Sequence, residues 1–274
     1  MTGRPSNDGV PVYELIHDPF WFISRLTIQD NNDELQQFGK VGMRPEQRKI
    51  VEALLENPRV LILKPRQIGA STIVMSFIFW LCYTAQRPIT VISVTHEQGA
   101  QQRMNGMLRT FWQNLPDAMR SSMPVDNQQH LKFGHNGAQT FQMVAGGRGQ
   151  GRSYTFSFAH FSEMGFYPRG SAAVKTSEPA DKTAYGSVMS TLHRHGRVVI
   201  ESTADGPAGH FHTMVTTAMQ PDSGWAFIFF AWFEFAEYSI PDEDMDPAFE
   251  VREDELEYLE PVFDDVGNVI RPAL

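Results

Sequence analysis

Three groups of residues in this sequence have types and spacings that can do chemistry. The first is Lys64-Pro65-Arg66-Gln67-Ile68-Gly69-Ala70-Ser71-Thr72, set between two apolar stretches. Its spacing matches the phosphate-binding pattern G-x-x-x-x-G-K-[ST], in which backbone N–H groups and a helix N-terminus cradle phosphate oxygens. Two positions depart from the pattern: Lys64 stands at the first glycine and Ala70 at the lysine. The loop has either moved its cation or lost it. The second group is the apolar run Tyr154–Phe161 closing on Ser162-Glu163. A carboxylate at the end of a buried strand is placed to polarise an attacking water, the second need of a phosphoryl-transfer enzyme. The position before that glutamate is ordinarily an aspartate that holds Mg²⁺, and Ser162 is a weaker stand-in. The third group, Glu201-Ser202-Thr203-Ala204-Asp205-Gly206, sets small hydroxyl residues after Arg197-Val-Val-Ile. Hydroxyls at the carboxyl end of a buried strand can sense a terminal phosphate.

The elements that must position these groups follow from periodicity and length. Arg59–Leu63 reads as a short buried strand and residues 70–84 as a buried helix, with further strands over 90–94, 141–145, 154–161, 197–201 and 225–233. A long helix is expected over 97–114. Buried strands alternating with helices predict a mostly parallel sheet flanked by helices, with ligands at the carboxyl ends of its strands. Arg44–Leu55 carries Pro45 at a first helical turn and apolar residues at 50, 51, 54 and 55, the mark of an amphipathic helix. A shorter one is expected over 20–28. The glycine-rich run at 146–153 leads into a strand rather than a helix, which makes it a poor dinucleotide match. The expected division is a flexible arm over 1–19, a helical segment over 20–58, a catalytic core over 59–209, and a last strand, lid and acidic linker over 210–274.

Bulk composition narrows the class. The 274 residues are 42% hydrophobic and 20% charged, enough for one large α/β domain or for one domain plus a small appendage. Cys82, the single cysteine, lies in the apolar helix and reads as a core residue in a reducing compartment. The N-terminus lacks the apolar stretch of a signal peptide, and the longest mostly apolar run, Ile73–Tyr83, is short of the ~20 residues of a membrane span. A cytoplasmic location is expected. Net charge is −9, but Pro241–Asp265 holds twelve of the 32 acidic residues and one of the 23 basic ones. The remainder therefore has room for a basic groove. The pairs His193/His195 and His210/His212 lack a carboxylate or thiolate at ligand spacing and read as surface polar residues. The aromatic clusters at 20–22, 77–80 and 225–235 read as core.

Taken in order, Arg66-Gln67-x-Gly69-x-Ser71-Thr72, His160-Phe-Ser-Glu163 and Glu201-Ser-Thr-Ala-Asp-Gly206 resemble the large terminase subunit of tailed bacteriophages, the ATPase motor that packages DNA. Pro45-Glu-Gln47, Ser93-Val-Thr-His-Glu-Gln98 and Phe230-Ala-Trp-Phe233 are similar to further segments of that family, so the likeness covers about residues 20–240. It implies a P-loop NTPase fold of the additional-strand, catalytic-glutamate type with a small C-terminal lid. It implies that Lys64 and Arg66 supply the cations facing phosphate, and that Pro65, Gln67, Ile68, Gly69 and Ala70 complete the loop. Ser71 would coordinate Mg²⁺, with Glu163 acting on it through water, and Thr72 would touch phosphate. Glu163 would activate water, Ser202, Thr203 and Ala204 would couple hydrolysis to motion, and Gln47 would read adenine beside Arg44. A ring neighbour would supply an arginine in trans, with Arg148 or Arg152 as candidates. The implied ligands and partners are ATP, Mg²⁺, double-stranded DNA, a portal protein, a small terminase subunit and further copies of the chain, in the host cytoplasm. The family's metal-dependent nuclease does not fit in the 36 residues after Tyr238, so a truncated fragment or a separate nuclease chain is expected. Two other readings stay open: a helicase-like DNA-repair ATPase, and a module that binds ATP without hydrolysing it.

Overall fold

The computed structural model of the chain describes residues 12–29, 34–146, 154–168, 180–235 and 238, and the backbone of 262–263 and 269–271. The chain forms two units, Met1–Phe230 and Ala231–Leu274.

The first unit opens with α1 (Val12–Leu15) and α2 (Pro19–Ile23). Asp18 Oδ1 accepts the Phe20 N–H at 2.9 Å, and Pro19 fills the first helical position, where no donor is lost. The helix expected over 20–28 ends early. Ser24 Oγ donates back to the Trp21 carbonyl at 2.7 Å, and residues 27–29 enter an extended pair, β1 (Thr27–Gln29) with β2 (Leu35–Gln37). Part of the expected arm is also tied down, since Trp80 Nε1 donates to the Ile16 carbonyl at 3.0 Å. After α3 (Phe38–Val41), α4 (Pro45–Glu56) buries Gln47, Ile50, Val51 and Leu54, a single stripe at helical spacing.

The central elements then alternate. They are β3 (Arg59–Leu63), α5 (Ala70–Thr84), β4 (Thr90–Thr95) and α6 (Gln98–Gln113). Next come β5 (Val125–Asp126), β6 (His130–Lys132), β7 (Gln139–Val144) and β8 (Phe156–Ser162). The unit closes with α7 (Ala180–Met189), β9 (Leu192–Ser202), α8 (Gly209–Ala218) and β10 (Ala226–Phe229). Strands β10, β3, β9, β8, β4 and β7 run parallel in that order, and β6 and β5 add an antiparallel edge. A parallel sheet is stable only when both faces are covered, and the sequences comply. The α5 residues Ile73, Val74, Met75, Phe77, Ile78, Phe79 and Cys82 are all buried, so this helix is apolar on every side. α8 buries Phe211, Met214, Val215 and Ala218 in the cluster built on Leu61, Ile92, Phe161 and Ile200. It and β10 therefore belong to the first unit, although the sequence division placed them with the C-terminal segment.

The expected single strand near 141–145 is one of three, because 125–132 folds back as the edge pair β5–β6. The expected strand over 225–233 is shorter: Phe230 N–H makes a last bond to the Leu63 carbonyl at 3.0 Å, and β10 sits at the sheet edge with Phe229 55% exposed rather than in the core. No helix among the described residues is long and apolar enough to cross a membrane. In the second unit, Glu234 Oε2 accepts the Ala231 N–H at 3.3 Å around a short turn, and β11 (Val262–Phe263) pairs antiparallel with β12 (Val269–Arg271). The twelve acidic residues of the 241–265 run lie outside the described residues.

One detail of strand order positions everything that follows. β9 lies between β3, which leads into the loop, and β8, which ends in Glu163. Leu63 pairs with Ser202 and Ser162 with Glu201, so all three chemical groups of the sequence meet at one edge.

Candidate active site

The loop is pinned where it leaves β3, by the Lys64 N–H donating to the Ser202 carbonyl at 3.1 Å. It then turns through two left-handed residues, Gln67 (φ 60°) and Gly69 (φ 73°). A Cβ on Gly69 would stand 2.3 Å from the tip of the Gln47 side chain, and the left-handed backbone favours glycine there. Ile68 and Ala70 are buried and anchor the loop, while Arg66 and Gln67 are exposed on it. The first bond of the α5 ladder is Ile73 N–H to the Gly69 carbonyl at 3.0 Å. The N–H groups of Ala70, Ser71 and Thr72 precede it and have no acceptor within the helix. With the positive end of a 15-residue helix dipole behind them, they form an anion-binding edge.

Lys64 does not point away from the protein. Its side chain is buried, and Nζ donates to Glu163 Oε1 at 2.7 Å and lies 3.2 Å from Glu201 Oε2. Burial alone would lower the affinity of this ammonium for its proton; the Glu201 and Glu163 carboxylates overcome that and raise its pKa. Glu201 is the fully buried member of the group. Burial would raise its pKa, but the Lys64 charge and the contacts of His160 and Ser162 hold it well below the usual carboxylate range. Ser162 Oγ donates to Glu201 Oε1 at 2.6 Å and Ser71 Oγ donates to the same oxygen at 2.8 Å. His160 Nε2, itself fully buried, lies 3.4 Å from it. Two acids face one ammonium, so the cluster keeps a net negative charge.

Glu163 adopts a left-handed conformation (φ 51°, ψ 46°), which costs a non-glycine residue about 1–2 kcal/mol. The turn places its carboxylate across the edge toward β9. There Oε2 accepts the Thr203 N–H at 3.2 Å and the Ser202 hydroxyl at 3.4 Å. Ser202 Oγ also donates to the Thr203 carbonyl at 2.8 Å and accepts the Gly165 N–H at 3.0 Å. The acid that ends β8 is thus held by the hydroxyl segment that ends β9, while Ala204 is exposed beyond it.

Gln47 sits against the loop, and part of its carboxamide is engaged. Oε1 accepts the Arg44 N–H at 3.1 Å, closing the first turn of α4, and Nε2 faces Gly69. Arg44 itself is exposed. Thr72 is half-buried in the first turn of α5 and receives Ser76 Oγ on its carbonyl at 2.8 Å. Arg148 and Arg152 lie outside the described residues. The residue that sequence reasoning passed over is Glu201. Its signal was present: Val198-Val-Ile-Glu201 is an apolar strand ending in glutamate, the same signature that singled out Glu163.

Residues that could hold Mg²⁺ beside a phosphate are present. Mg²⁺ takes oxygen ligands, keeps several waters and needs only one or two carboxylates when substrate phosphates complete its shell. Ser71, Glu201 and Glu163 provide such oxygens, and the buried Glu201 Oε2 has the Lys64 ammonium at 3.2 Å as its charge partner. Among the described residues no group of three His, Cys, Asp or Glu side chains forms a metal cage of its own.

No known sequence family matches the chain, and no characterised protein matches it by sequence. Solved structures do. The large terminase of bacteriophage HK97 superposes with a TM-score of 0.60 at 15% identity, over 84% of this chain and 45% of its own. The large terminase of a thermophilic bacteriophage gives 0.54 at 9% identity, over 85% of this chain and 53% of its own. The ATPase domain of the Thermus phage P74-26 large terminase gives 0.51 at 12% identity, over 73% of this chain and 85% of that domain. The chain spans about half the length of the first two of these proteins. With its parallel sheet, its loop between β3 and α5, and β9 between β3 and the strand that ends in Glu163, the chain has the P-loop fold of the phage large-terminase ATPase domains.

Proposed function

We propose that this chain is a Mg²⁺-dependent ATPase, the motor part of a viral terminase that drives double-stranded DNA into a procapsid. The observation that carries this reading is the Lys64–Glu163 pair and Ser71, linked to Lys64 through Glu201, at one sheet edge below the N-terminus of α5 in a terminase-like fold.

In this reading the N–H groups of residues 69–72 receive the phosphates, Arg66 and Lys64 add positive charge, and Gln47 reads adenine with Arg44 nearby. Lys64 exchanges Glu163 for a phosphate oxygen as nucleotide enters, which frees the carboxylate. Glu163 then orients a water and takes its proton as the water oxygen bonds to the γ-phosphorus. The bond to the bridging β-phosphate oxygen breaks, and ADP and phosphate leave. Mg²⁺, which Ser71 and, through water, Glu163 would hold, would supply neutralisation of the phosphate charge. Because Ser202 and Thr203 hold Glu163, a change at the carboxylate is transmitted to the end of β9, and Ala204 continues that coupling segment. Arg148 or Arg152 of a neighbouring copy completes the charge stabilisation in a ring, so an isolated chain turns over slowly. The DNA is gripped through its phosphates, without sequence preference and with strong salt dependence. A portal protein and a small terminase subunit are the assembly partners, in the host cytoplasm.

The test is steady-state phosphate release by wild type and Glu163→Ala, each with DNA and portal. Wild type is expected to exceed the variant on the order of 100-fold or more, the usual yield of a general base. Equal rates would instead make the chain a module that holds ATP without hydrolysing it, and strand separation without any dependence on portal would favour the helicase-like reading.

A further inference from the structure

Glu201 has no part in the reading above, yet it is the most enclosed acid of the site. It is fully buried, and one of its oxygens accepts hydrogen bonds from two hydroxyls on different elements: Ser71 Oγ at 2.8 Å and Ser162 Oγ at 2.6 Å. Each hydroxyl has a meaning in phosphate-loop chemistry. The loop Ser or Thr is the hydroxyl that reaches Mg²⁺, and its usual companion is an acid on the strand that precedes the catalytic glutamate. Here that strand position is Ser162, which brings a hydroxyl and no charge. Ser162 and Glu201 are register partners on the adjacent strands β8 and β9, so the missing carboxylate lies directly across the ladder.

We infer that the metal-side carboxylate of this site is Glu201, supplied by β9 in place of the acid that β8 lacks at Ser162. Two further observations fit. A carboxylate buried on this scale is costly unless it is engaged, and Lys64 at 3.2 Å offsets only one of the two acids it faces. Glu201 Oε2, completely enclosed, faces the Lys64 ammonium at 3.2 Å and no second donor among the described residues. The division of labour is then clear. Glu163, partly exposed and held by Thr203, serves the water; Glu201, enclosed beside Ser71, serves the cation. The inference deepens the ATPase reading and rests on it.

The experiment is titration of a fluorescent ATP analogue into wild type, Glu201→Gln and Glu201→Gln/Ser162→Asp, each in EDTA and in excess Mg²⁺. Wild type is expected to bind more tightly with Mg²⁺. Glu201→Gln should bind as wild type does in EDTA and lose the Mg²⁺ gain by a factor on the order of 10–100. The double variant, which returns a carboxylate to β8, should recover most of the gain. An equal Mg²⁺ gain in wild type and Glu201→Gln overturns the inference and leaves the ATPase reading standing. So does a double variant that binds in EDTA without recovering the gain. Failure of Glu201→Gln to bind even in EDTA also overturns it, by making Glu201 a group that holds the loop together. Wild type that binds no nucleotide under either condition overturns the ATPase reading itself.

Discussion

The ammonium of Lys64 and the carboxylate of Glu163 are joined by a 2.7 Å hydrogen bond across 99 residues of sequence. The loop's cation and the strand's acid therefore neutralise each other. A second acid, Glu201, shares the same ammonium at 3.2 Å. Lys64 is thus a structural ion before it can be a catalytic one. Replacing it by Met should destabilise the fold by about 3–5 kcal/mol, because Glu201 would be left buried beside Ser71 and Ser162 with no charge partner. Denaturant unfolding would measure this as a lowered midpoint. A midpoint within error of wild type would mean that the triad carries no net stability. Loss of turnover in such a variant reports folding as well as chemistry, so Lys64→Arg, which keeps the charge, is the cleaner kinetic probe.

The same triad fixes a pH dependence whose sign can be worked out. Glu201 is depressed from 4.5 to about 2, so the stability it contributes is complete above its unfolded value and is lost as pH falls from about 4.5 toward 2. Lys64 is raised above 10.5, so its contribution is complete below that value and fades only at higher pH. The contribution of these two groups should be level from about pH 5 to 10 and fall on the acid side, and Glu201→Gln should flatten that acid limb. Thermal unfolding from pH 2 to 7 would test it. An acid limb unchanged by the substitution would assign the loss to other carboxylates.

Much of this arrangement was legible in the sequence, and the reasons differ by residue. The strand over 59–63 and the helix over 70–84 carry their own signals, an apolar β-branched run and an apolar stretch too long for a strand, and both ends fell within a residue of expectation. Glu163 was legible because an acid closing an apolar strand must be charge-paired or wet, and the strand's carboxyl end is where ligands sit. The orientation of Lys64 was not, because spacing places a residue along a loop but not the side on which its ammonium finds a partner. That partner is set by strand order, and β9 sits between β3 and β8 only through long-range pairing. The edge strands β5 and β6 were missed for a similar reason: two and three residues long, they have too short a period to register and exist only by pairing with β7.

Gln47 separates two roles that its position confounds. Its Oε1 accepts the Arg44 N–H at 3.1 Å and stabilises the start of α4, while the proposed function has it read adenine. Gln47→Ala should cost about 1 kcal/mol of stability as a lost cap. If the side chain also reads the base, the variant should lose preference for ATP over GTP by roughly 10-fold, about 1.4 kcal/mol in KM ratio. A stability loss with unchanged base preference would confine Gln47 to capping.

Cys82 offers a probe of global opening. It is fully buried in α5, and desolvation pushes its thiol well above the ordinary range, so little reactive thiolate exists in the folded chain. Labelling by a thiol reagent at pH 8 should proceed only through global unfolding, and should slow further when ATP and Mg²⁺ are added at saturating concentration. Rapid labelling of folded protein would show that α5 opens locally, which its packing argues against.

Ser202 bears on the coupling proposed above. Its hydroxyl accepts the Gly165 N–H at 3.0 Å and donates to the Thr203 carbonyl at 2.8 Å, joining the turn after Glu163 to the end of β9. Ser202→Ala leaves both backbone groups without that partner in a buried place, at a cost of about 1–3 kcal/mol. It also loosens the left-handed turn that aims Glu163. Turnover should fall on the order of 10- to 100-fold, the scale of a small misplacement of a catalytic group, while KM for ATP stays near wild type because the loop and Gln47 are untouched. Steady-state kinetics would resolve the split. A raised KM with normal kcat would place Ser202 in nucleotide binding and would remove the link from Glu163 to β9 through which hydrolysis is proposed to move the protein.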